Sequence, residues 1–374
     1  MKLTLERDAL HSALGRVAKI VERKSTIPIL THLRLETRGD FLALKGTDLD
    51  LEAETAVPAD TAVPGLMTAP AATLSDIVAK VPAGAQIVLE AQDGRLVLRA
   101  SRSKFTLQTV PPEDFPDTGE KSFSHHFEIA ASMLGEMIGK TEFAISNEET
   151  RYYLNGIYLH VREVEGHSML RAVATDGHRL ARIEFAAPTG AAGMPAIIVP
   201  RKAVGEIKRL AKDATGAIGF DINDRLAKVT IPGKVSTTVL TTKLIDGTYP
   251  DYERVIPRGN DKIALIDRAS FMSAVDRVSC ISSAHGCGTR LAFGDRKLIL
   301  SVNNPDAGEA ADEIDADYES APIEIGFNSK YLGEVLSVLG SENAEIALAD
   351  PGSPTLFRER AGGALVIVLM PMRI

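Results

Sequence analysis

One pattern of apolar and polar positions occurs three times along the chain. In residues 3–17, two alternating apolar residues typical of a short strand precede a segment whose apolar residues share one face of a helix. Residues 127–141 and 266–278 repeat this order. A basic residue stands at the same place in each copy, off the apolar face: Arg16, Lys140 and Arg277. Recurrence of this kind predicts internal repeats.

A second predicted helix also recurs, with an apolar-x-acid-apolar core at Leu74–Ile77, Val204–Ile207 and Leu332–Val335. Alternating, strand-like runs come before and after each copy. Each repeat therefore reads as strand, helix, strands, helix, strands, which indicates an α+β architecture with the helices segregated from mostly antiparallel strands. The alternative is chance amphipathicity, which does not account for the ordered recurrence of both helices.

The ends of the first two repeats resemble each other. Glu113–Asp117 and Asp246–Asp251 are rich in turn-forming residues and look like linkers. We therefore expect three similar domains, 1–121, 122–250 and 251–374, each with two helices packed on antiparallel sheets. Domains of this length are common.

Composition narrows the class of protein. The 374 residues are 45% hydrophobic and 25% charged, as in ordinary globular proteins. No apolar run is long enough to cross a membrane, and the N-terminus has acidic residues where a signal peptide needs an apolar stretch. Two cysteines, Cys280 and Cys287, are too few for a disulfide framework. We expect a cytoplasmic protein.

Charge is unevenly distributed. The formal net charge is −8, with the acidic excess concentrated in residues 251–374, so the chain is not basic all over. The helix predicted over 201–212 nevertheless carries a basic arc opposite its apolar arc, formed by Arg201, Lys202, Lys208, Arg209 and Lys212. Sparser counterparts in the other repeats are Arg16, Lys19, Arg23, Lys24, Arg268, Arg277 and Lys330. One such face is ordinarily just solvated, but its recurrence favours a surface that attracts nucleic-acid phosphates irrespective of base sequence.

Motifs of catalysis are missing from the sequence. There is no G-x-x-x-x-G-K-[ST], G-x-S-x-G or H-E-x-x-H, and the histidines and cysteines do not have zinc-ligand spacing. Asp176 and His178 leave open a hydrolase hypothesis, in which His178→Ala would abolish turnover. A lone Asp and His in a turn are more often structural. We expect no catalytic residue, metal or cofactor, and a protein that is not an enzyme.

Three motifs carry a family resemblance: Arg151–Gly156 (RYYLNG), Ala174–Ala181 (ATDGHRLA) and Met370–Ile374 (MPMRI). With further matches along the whole chain, they make the sequence closely similar to the bacterial sliding clamps, the β subunits of DNA polymerase III. The resemblance implies a DNA clamp fold, in which the chain is half of a homodimeric, six-domain ring with helices inside and sheets outside. Such a ring encircles duplex DNA, tethers the replicative polymerase, confers processivity and performs no chemistry.

The resemblance also implies a site for partner peptides between the second and third domains. Its residues here are Leu154, Thr175, Gly177, His178, Arg179, Leu180, Pro250, Arg254, Val255, Asn328, Tyr331, Val368, Met370, Pro371, Met372 and Arg373. Methionine and leucine form an adaptable apolar groove, and the flanking arginine and asparagine groups are suited to a peptide backbone. The implied partners bind through short linear peptides: DNA polymerase III subunits, the clamp loader, other DNA polymerases, mismatch-repair proteins and ligase.

Two further surfaces follow from the resemblance. The implied DNA-binding residues are Lys24, Tyr152, Tyr153, Arg201, Lys202 and Arg209. At the implied dimer interface, Lys104, Phe105 and Leu107 of one subunit face Cys280 and Ile281 of the other. The run KFTLQTV at 104–110 reads as an edge strand, and pairing across subunits would protect its edge.

The sequence departs from the family pattern at several places. Glu148 stands where relatives have a neutral DNA-facing residue, and Ala72 and Thr248 stand where some have arginine. The loops 282–288 and 351–354 are divergent. The alternative hypothesis is an interaction scaffold that uses the methionine-rich groove without encircling DNA, but it leaves the basic helix face unexplained.

Overall fold

The computed structural model describes residues 1–116, 122–282, 288–359 and 363–373. Within these ranges the chain forms six helices, two in each predicted repeat: α1 (Arg7–Val17), α2 (Ala71–Lys80), α3 (Ala131–Thr141), α4 (Arg201–Ala211), α5 (Arg268–Ser279) and α6 (Ser329–Val338). The six helices predicted from the sequence pattern are thus confirmed. None of the described helices is long and apolar enough to cross a membrane.

The same ranges contain 26 strands, most of which alternate buried and exposed positions as a half-buried sheet requires. They are β1 (Lys2–Glu6), β2 (His32–Arg38), β3 (Phe41–Thr47), β4 (Leu51–Pro58), β5 (Asp60–Val63), β6 (Leu66–Pro70), β7 (Gln86–Gln92), β8 (Arg95–Ala100), β9 (Ser103–Gln108), β10 (His125–Ile129), β11 (Gly156–Val164), β12 (His167–Thr175), β13 (Arg179–Ala186), β14 (Ile197–Pro200), β15 (Ile218–Ile222), β16 (Leu226–Ile231), β17 (Thr238–Lys243), β18 (Lys262–Asp267), β19 (Gly288–Gly294), β20 (Lys297–Asn304), β21 (Gly308–Asp315), β22 (Asp317–Tyr318), β23 (Ile323–Asn328), β24 (Asn343–Leu348), β25 (Thr355–Arg358) and β26 (Leu365–Leu369).

The described chain forms two compact units. Unit 1 comprises Met1–Gly135, Pro188–Pro195 and Lys202–Leu244. Its strands form two antiparallel sheets, with spatial orders β5-β1-β7-β8-β9 and β10-β15-β16-β17-β4-β3-β2-β6. Helix α1 packs on α2 and on strands β3 and β4, and it buries Leu10, Leu14 and Val17. The predicted edge strand is confirmed, since β9 is the last strand of its sheet.

Unit 2 comprises the described residues of Glu136–Ala187, Ala196–Arg201 and Ile245–Ile374. Its sheets have the orders β14-β11-β12-β13-β26-β25-β24-β18-β22 and β21-β20-β19-β23. Helix α5 packs on α6 and on β19 to β21. Both helices begin at a side-chain cap, because Asp267 accepts from the Ser270 backbone N–H and Asn328 from those of Lys330 and Tyr331. Residues of the predicted second domain, 122–250, occur in both units, and the segment 117–121 just before its predicted start lies outside the described residues.

The basic residue shared by the three repeats has a different environment in each. The sequence pattern predicts an exposed Arg16, and this is wrong: its side chain is buried and donates to Thr238 Oγ1 at 3.1 Å. A Cβ at Gly233 would lie 2.2 Å from the Arg16 guanidinium, so only a glycine at this position leaves room for the arginine side chain. Lys140 is partly buried and pairs with Glu359 at 2.6 Å. Arg277 is exposed and pairs with Asp312 at 2.6 Å.

Candidate functional site

All sixteen residues predicted to bind partner peptides lie in unit 2. Strand β13 pairs with β12 on one side and with β26 on the other, so Leu180 lies between Thr175 and Val368. The backbone N–H of Met370 donates to the His178 carbonyl at 2.8 Å, and that of Met372 to the Gly326 carbonyl at 2.9 Å. These bonds hold the segment 370–373 against the end of β13 and against β23.

The floor of this region is a buried apolar cluster. It contains three predicted site residues, Leu154, Leu180 and Val368, packed with Tyr249, Tyr252, Val173, Ile198, Ala347 and Leu356. Met370, Met372 and Val255 are by contrast 39%, 37% and 48% exposed. Exposed thioether side chains are flexible and polarizable, and they are suited to contact with different apolar anchors.

The turn between β12 and β13 is tightly bonded. Asp176 Oδ1 accepts from the backbone N–H groups of His178 and Arg179 at 2.9 and 3.0 Å, and Thr175 Oγ1 donates to the Arg179 carbonyl at 2.7 Å. Gly177 has φ +89°, a conformation that other residues rarely adopt. The Asp176 carboxylate therefore holds backbone rather than the His178 ring, and the geometry does not support the hydrolase hypothesis.

Arg179 connects the turn before β13 to helix α6 and to the segment after α3. Its side chain is 8% exposed, pairs with Asp176 at 3.1 Å and with Glu334, and donates to the Phe143 carbonyl at 2.6 Å. The guanidinium carbon lies 4.3 Å from the centroid of the Tyr331 ring, within cation–π range. Asn328 is likewise engaged as the cap of α6. The exposed cations at the rim are Arg254 and Arg373.

A network that the sequence analysis missed supports the segment 249–255. Arg171 is buried and bonds Glu184 at 2.6 Å and Glu253, while Tyr252 Oη bonds His160 Nε2 at 3.0 Å. Burial lowers the pKa of His160 and raises that of Tyr252. The network fixes the helical turn that carries Arg254 and Val255. A basic residue in the middle of an apolar strand, as in MLRAVAT, is a sequence signal for such a buried pair.

Tyr249 was also missed. Its ring stacks on Tyr158 with centroids 4.6 Å apart, and burial raises its pKa. The backbone of Thr175 is a neighbour of the Tyr249 hydroxyl, but across the described residues this oxygen forms no hydrogen bond of proper geometry. A buried hydroxyl without a partner is energetically unfavourable.

The predicted DNA-binding cations differ in how the chain holds them. In unit 1, Lys202 Nζ pairs with Asp48 and donates to the Ile20 carbonyl at 3.2 Å, yet its side chain is 47% exposed. Burial alone would raise the pKa of Asp48, but Lys202 and two backbone N–H groups outweigh it and hold that pKa below its usual range. Arg209 pairs with Glu206 at 2.6 Å and donates to two backbone carbonyls. Lys24 is exposed and has no partner within the part of the chain that is described.

In unit 2, Arg201 Nη2 donates to the Ile145 carbonyl at 2.5 Å. Tyr152 is 53% exposed, and its ring meets that of Tyr153 edge to face at 5.8 Å. The two tyrosines and Arg201 therefore belong to one unit, and Lys24, Lys202 and Arg209 to the other.

The predicted interface residues lie on the edge strand β9 of unit 1 and at the C-terminal end of helix α5 of unit 2. On β9, Phe105 and Leu107 point to the same face and are half-buried, while Lys104 is exposed. Phe105 also lines an open groove of about 540 Å³ whose other wall includes Ile77 and Lys80 of α2. In unit 2, Cys280 is exposed at the end of α5 and Ile281 follows it. Cys287 and most of the divergent 282–288 loop lie outside the described residues.

The described ranges contain no group of three or more His, Cys, Asp or Glu side chains that could hold a metal ion. The geometry offers surfaces suited to binding: exposed apolar side chains near a buried apolar cluster in unit 2, exposed cations in both units, and edge strands.

Comparisons with known proteins agree with this description. Family models of the DNA polymerase III beta subunit match residues 1–119 (N-terminal domain), 128–251 (central domain) and 253–373 (C-terminal domain). The beta sliding clamp of Caulobacter vibrioides is 45% identical over all of both chains, and that of Pseudomonas aeruginosa is 39% identical over all of both chains. The crystal structure of the sliding clamp (DNA polymerase III subunit beta) from Bartonella birtlesii bound to griselimycin superposes with a TM-score of 0.96, at 42% identity and full coverage of both chains. The resemblance and the α+β clamp fold expected from the sequence are confirmed.

Proposed function

The chain belongs to the DNA polymerase III beta subunit family and is a DNA sliding clamp, a processivity factor rather than an enzyme, and we propose that two copies close into a ring around duplex DNA. The three-domain division at 1–121, 122–250 and 251–374 is part of this proposal. It is supported by two helices in each third of the chain and by the ranges of the three family models. The ring would contain six such domains.

The observation that carries the ring is a pair of complementary edge strands. Strand β9 ends one sheet of unit 1 and presents Lys104, Phe105 and Leu107. Strand β21 ends the four-stranded sheet of unit 2 and presents exposed acidic side chains: Glu309, Glu313 and Asp315. An edge strand with unpaired backbone groups is a template for pairing with another chain. Pairing β9 of one copy with β21 of the other, twice, closes a two-membered ring.

The groove beside β9 gives this contact an apolar centre. It is lined by Phe105, and an aliphatic side chain such as Ile281 of the second copy fits its chemistry. Cys280, exposed next to Ile281, belongs to the same proposed contact. Charge complementarity at the strands would set the register, while burial of Phe105 and Leu107 would supply affinity.

DNA would be held by topology and by weak, sequence-independent contacts. The proposed contacts are Lys24, Tyr152, Tyr153, Arg201, Lys202 and Arg209. Phosphate contacts position a protein on DNA without reading its sequence. A closed ring does not need strong direct contacts to stay on DNA, and weak contacts permit sliding.

The groove of unit 2 would bind short linear peptides of replication and repair proteins: DNA polymerase III subunits, the clamp loader, other DNA polymerases, mismatch-repair proteins and ligase. The buried apolar cluster and the exposed Met370 and Met372 support binding of several different apolar anchors. Tethering raises the effective concentration of the polymerase at the primer end. We place this activity in the cytoplasm.

Retention on DNA of different topology tests the proposal. The clamp, loaded on nicked circular DNA, is expected to survive a high-salt wash and to be lost when the circle is linearised. Equal loss from circular and linear DNA would overturn the ring. Its solution mass should be twice 40.1 kDa. Leu107→Asp, on the half-buried face of β9, should give the single-chain mass, whereas Thr106→Asp, on the exposed face of the same strand, should stay dimeric.

A further inference from the structure

Glu148 lies at the start of the helical turn 149–154, and the structure shows what its charge does. Both carboxylate oxygens accept from one guanidinium: Arg151 Nε donates to Oε2 at 2.7 Å and Arg151 Nη2 to Oε1 at 2.6 Å. The bidentate geometry fixes the plane of the Arg151 guanidinium. The hydrogen bonds from Arg151 hold the pKa of Glu148 below its usual range, so the pair is ionised at neutral pH.

Arg151 in turn supports the turn of the peptide site. Its Nη2 also donates to the Asp176 carbonyl at 2.9 Å. A Cβ placed on Gly177 would lie 2.5 Å from Arg151 Nη1, so the guanidinium lies directly against this residue. Gly177 and the two residues after it, His178 and Arg179, are all proposed peptide contacts. The Arg151 guanidinium therefore lies between Glu148 and the wall of the groove.

The backbone around Glu148 is itself held in place. The Glu148 N–H donates to Ser146 Oγ at 3.1 Å, and Asn155 Nδ2 donates to the Glu148 carbonyl at 3.1 Å. The Ser146 N–H donates to the Leu154 carbonyl at 3.1 Å, which closes the segment into a loop. These hydrogen bonds fix the backbone of Glu148 and so restrict the position of its carboxylate. Holding Arg151, a long side chain with 32% exposure, in one position costs rotamer entropy, and its two hydrogen bonds to Glu148 offset that cost.

We propose that Glu148 is a positioning residue for the peptide site: it holds Arg151 against the turn Thr175–Arg179 and so keeps Gly177 and His178 in the arrangement that binds a peptide. The inference rests on the proposed function, because it presumes that this groove is the peptide site. Glu148 itself makes no contact with the ligand. It acts only through Arg151.

The test uses griselimycin, the ligand of the solved Bartonella relative, as the probe, and measures its dissociation constant by calorimetry. Met370→Asp places a charge on the rim of the groove and should abolish binding. Glu148→Gln should weaken binding about threefold, and Arg151→Met about tenfold, as expected for an exposed ion pair and for a charge-assisted bond to the site. Glu149→Gln is the matched control, since Glu149 is exposed and unpaired among the described residues.

A double-mutant cycle separates positioning from a general structural effect. If Glu148 acts through Arg151, Glu148→Gln has no further effect in the Arg151→Met background. Glu148→Asp, which keeps the charge, should recover part of the affinity. The thermal unfolding midpoint should be the same for the unchanged protein, Glu148→Gln, Glu148→Asp and Glu149→Gln. Additive effects, or equal affinity of Glu148→Gln and the unchanged protein, would overturn the proposal. If Met370→Asp binds the probe normally, the error lies in the proposed peptide site instead.

Discussion

The proposed peptide groove of unit 2 and the cationic face of unit 1, which is defined here by Lys24 and Lys202, present charge in opposite ways. In the groove, Arg179 is buried and bonded to two carboxylates and a carbonyl. The exposed side chains there include the apolar Val255, Met370 and Met372 and the cations Arg254 and Arg373. On the cationic face, Lys24 and Lys202 are exposed, and Lys202 is held at its ammonium by Asp48 and a carbonyl. The buried Arg179 holds the surrounding segments of the groove together, whereas Lys24 and Lys202 remain at the surface of unit 1.

The difference follows from what each region would bind. A peptide is selected by complementary shape, and preorganised walls reduce the ordering that binding requires. A DNA duplex that slides must be held equally at every position, so exposed cations that attract any phosphate are sufficient. The comparison predicts that substitution of the buried cation of the groove changes stability and peptide binding together, whereas substitutions on the cationic face change DNA binding alone.

The largest expected effect is that of Arg179→Met. Removing this buried cation takes a charged donor from Asp176, which is 14% exposed, and from the Phe143 carbonyl, and it breaks the ion pair with the more exposed Glu334. We expect a loss of about 3 kcal/mol in the free energy of unfolding. Peptide binding should be lost as well. Chemical denaturation measures the first effect. Arg254→Met is the control, because its side chain is 84% exposed and the expected change is within about 0.5 kcal/mol. Equal stability of the two variants would show that the buried Arg179 guanidinium does not stabilise this region.

An intermediate effect is expected on the cationic face. Lys24→Ala and Lys202→Ala should each weaken binding to short duplexes of any sequence and lower the slope of log affinity against log salt by about 0.9. Asp48→Asn should act in the opposite direction, because it releases Lys202 from its carboxylate. Fluorescence anisotropy over a salt series measures all three. If neither Lys202→Ala nor Asp48→Asn changes the DNA affinity or its salt dependence, Lys202 does not contact phosphate.

The smallest effect concerns the floor of the groove. Tyr249→Phe removes a buried hydroxyl without a hydrogen-bond partner among the described residues, and should leave stability unchanged or raise it by up to about 1 kcal/mol. Tyr252→Phe, the matched substitution, removes a hydroxyl bonded to His160 and Arg171 and should cost about 1 kcal/mol. The unfolding midpoints in denaturant compare them. If both variants lose the same stability, the Tyr249 hydroxyl has a partner after all.

Local patterning predicted the elements of this fold well. The repeated apolar spacing located all six helices, and the alternating run at 104–110 identified an edge strand. These features depend on neighbours a few residues apart, which a single sequence displays directly. The family motifs located the groove residues, which the structure brings together in one unit.

Long-range contacts were not predictable in the same way. Arg16 lies off the apolar arc of α1, and only Thr238, 222 residues later, and Gly233 show that it is covered. The pairing of Lys202 with Asp48 spans 154 residues. Periodicity says which face of a helix is polar, but not which distant strand or loop packs on it. Tyr249 and Arg171 were missed for the same reason, since their burial is a property of the assembled sheet.

The position of β26 has a consequence for how the molecule is made. This strand lies between β13 and β25, both of which are earlier in the chain. Until residues 365–369 emerge from the ribosome, the nine-stranded sheet consists of two halves, β14 to β13 and β25 to β22, each with an open border. Translation therefore completes this sheet by inserting a strand into a gap rather than by adding one at the margin. A nascent chain that stops before this point lacks both the central strand β26 and the exposed methionines Met370 and Met372 that follow it. The unpaired edges of β13 and β25 would then be exposed to chaperones and proteases.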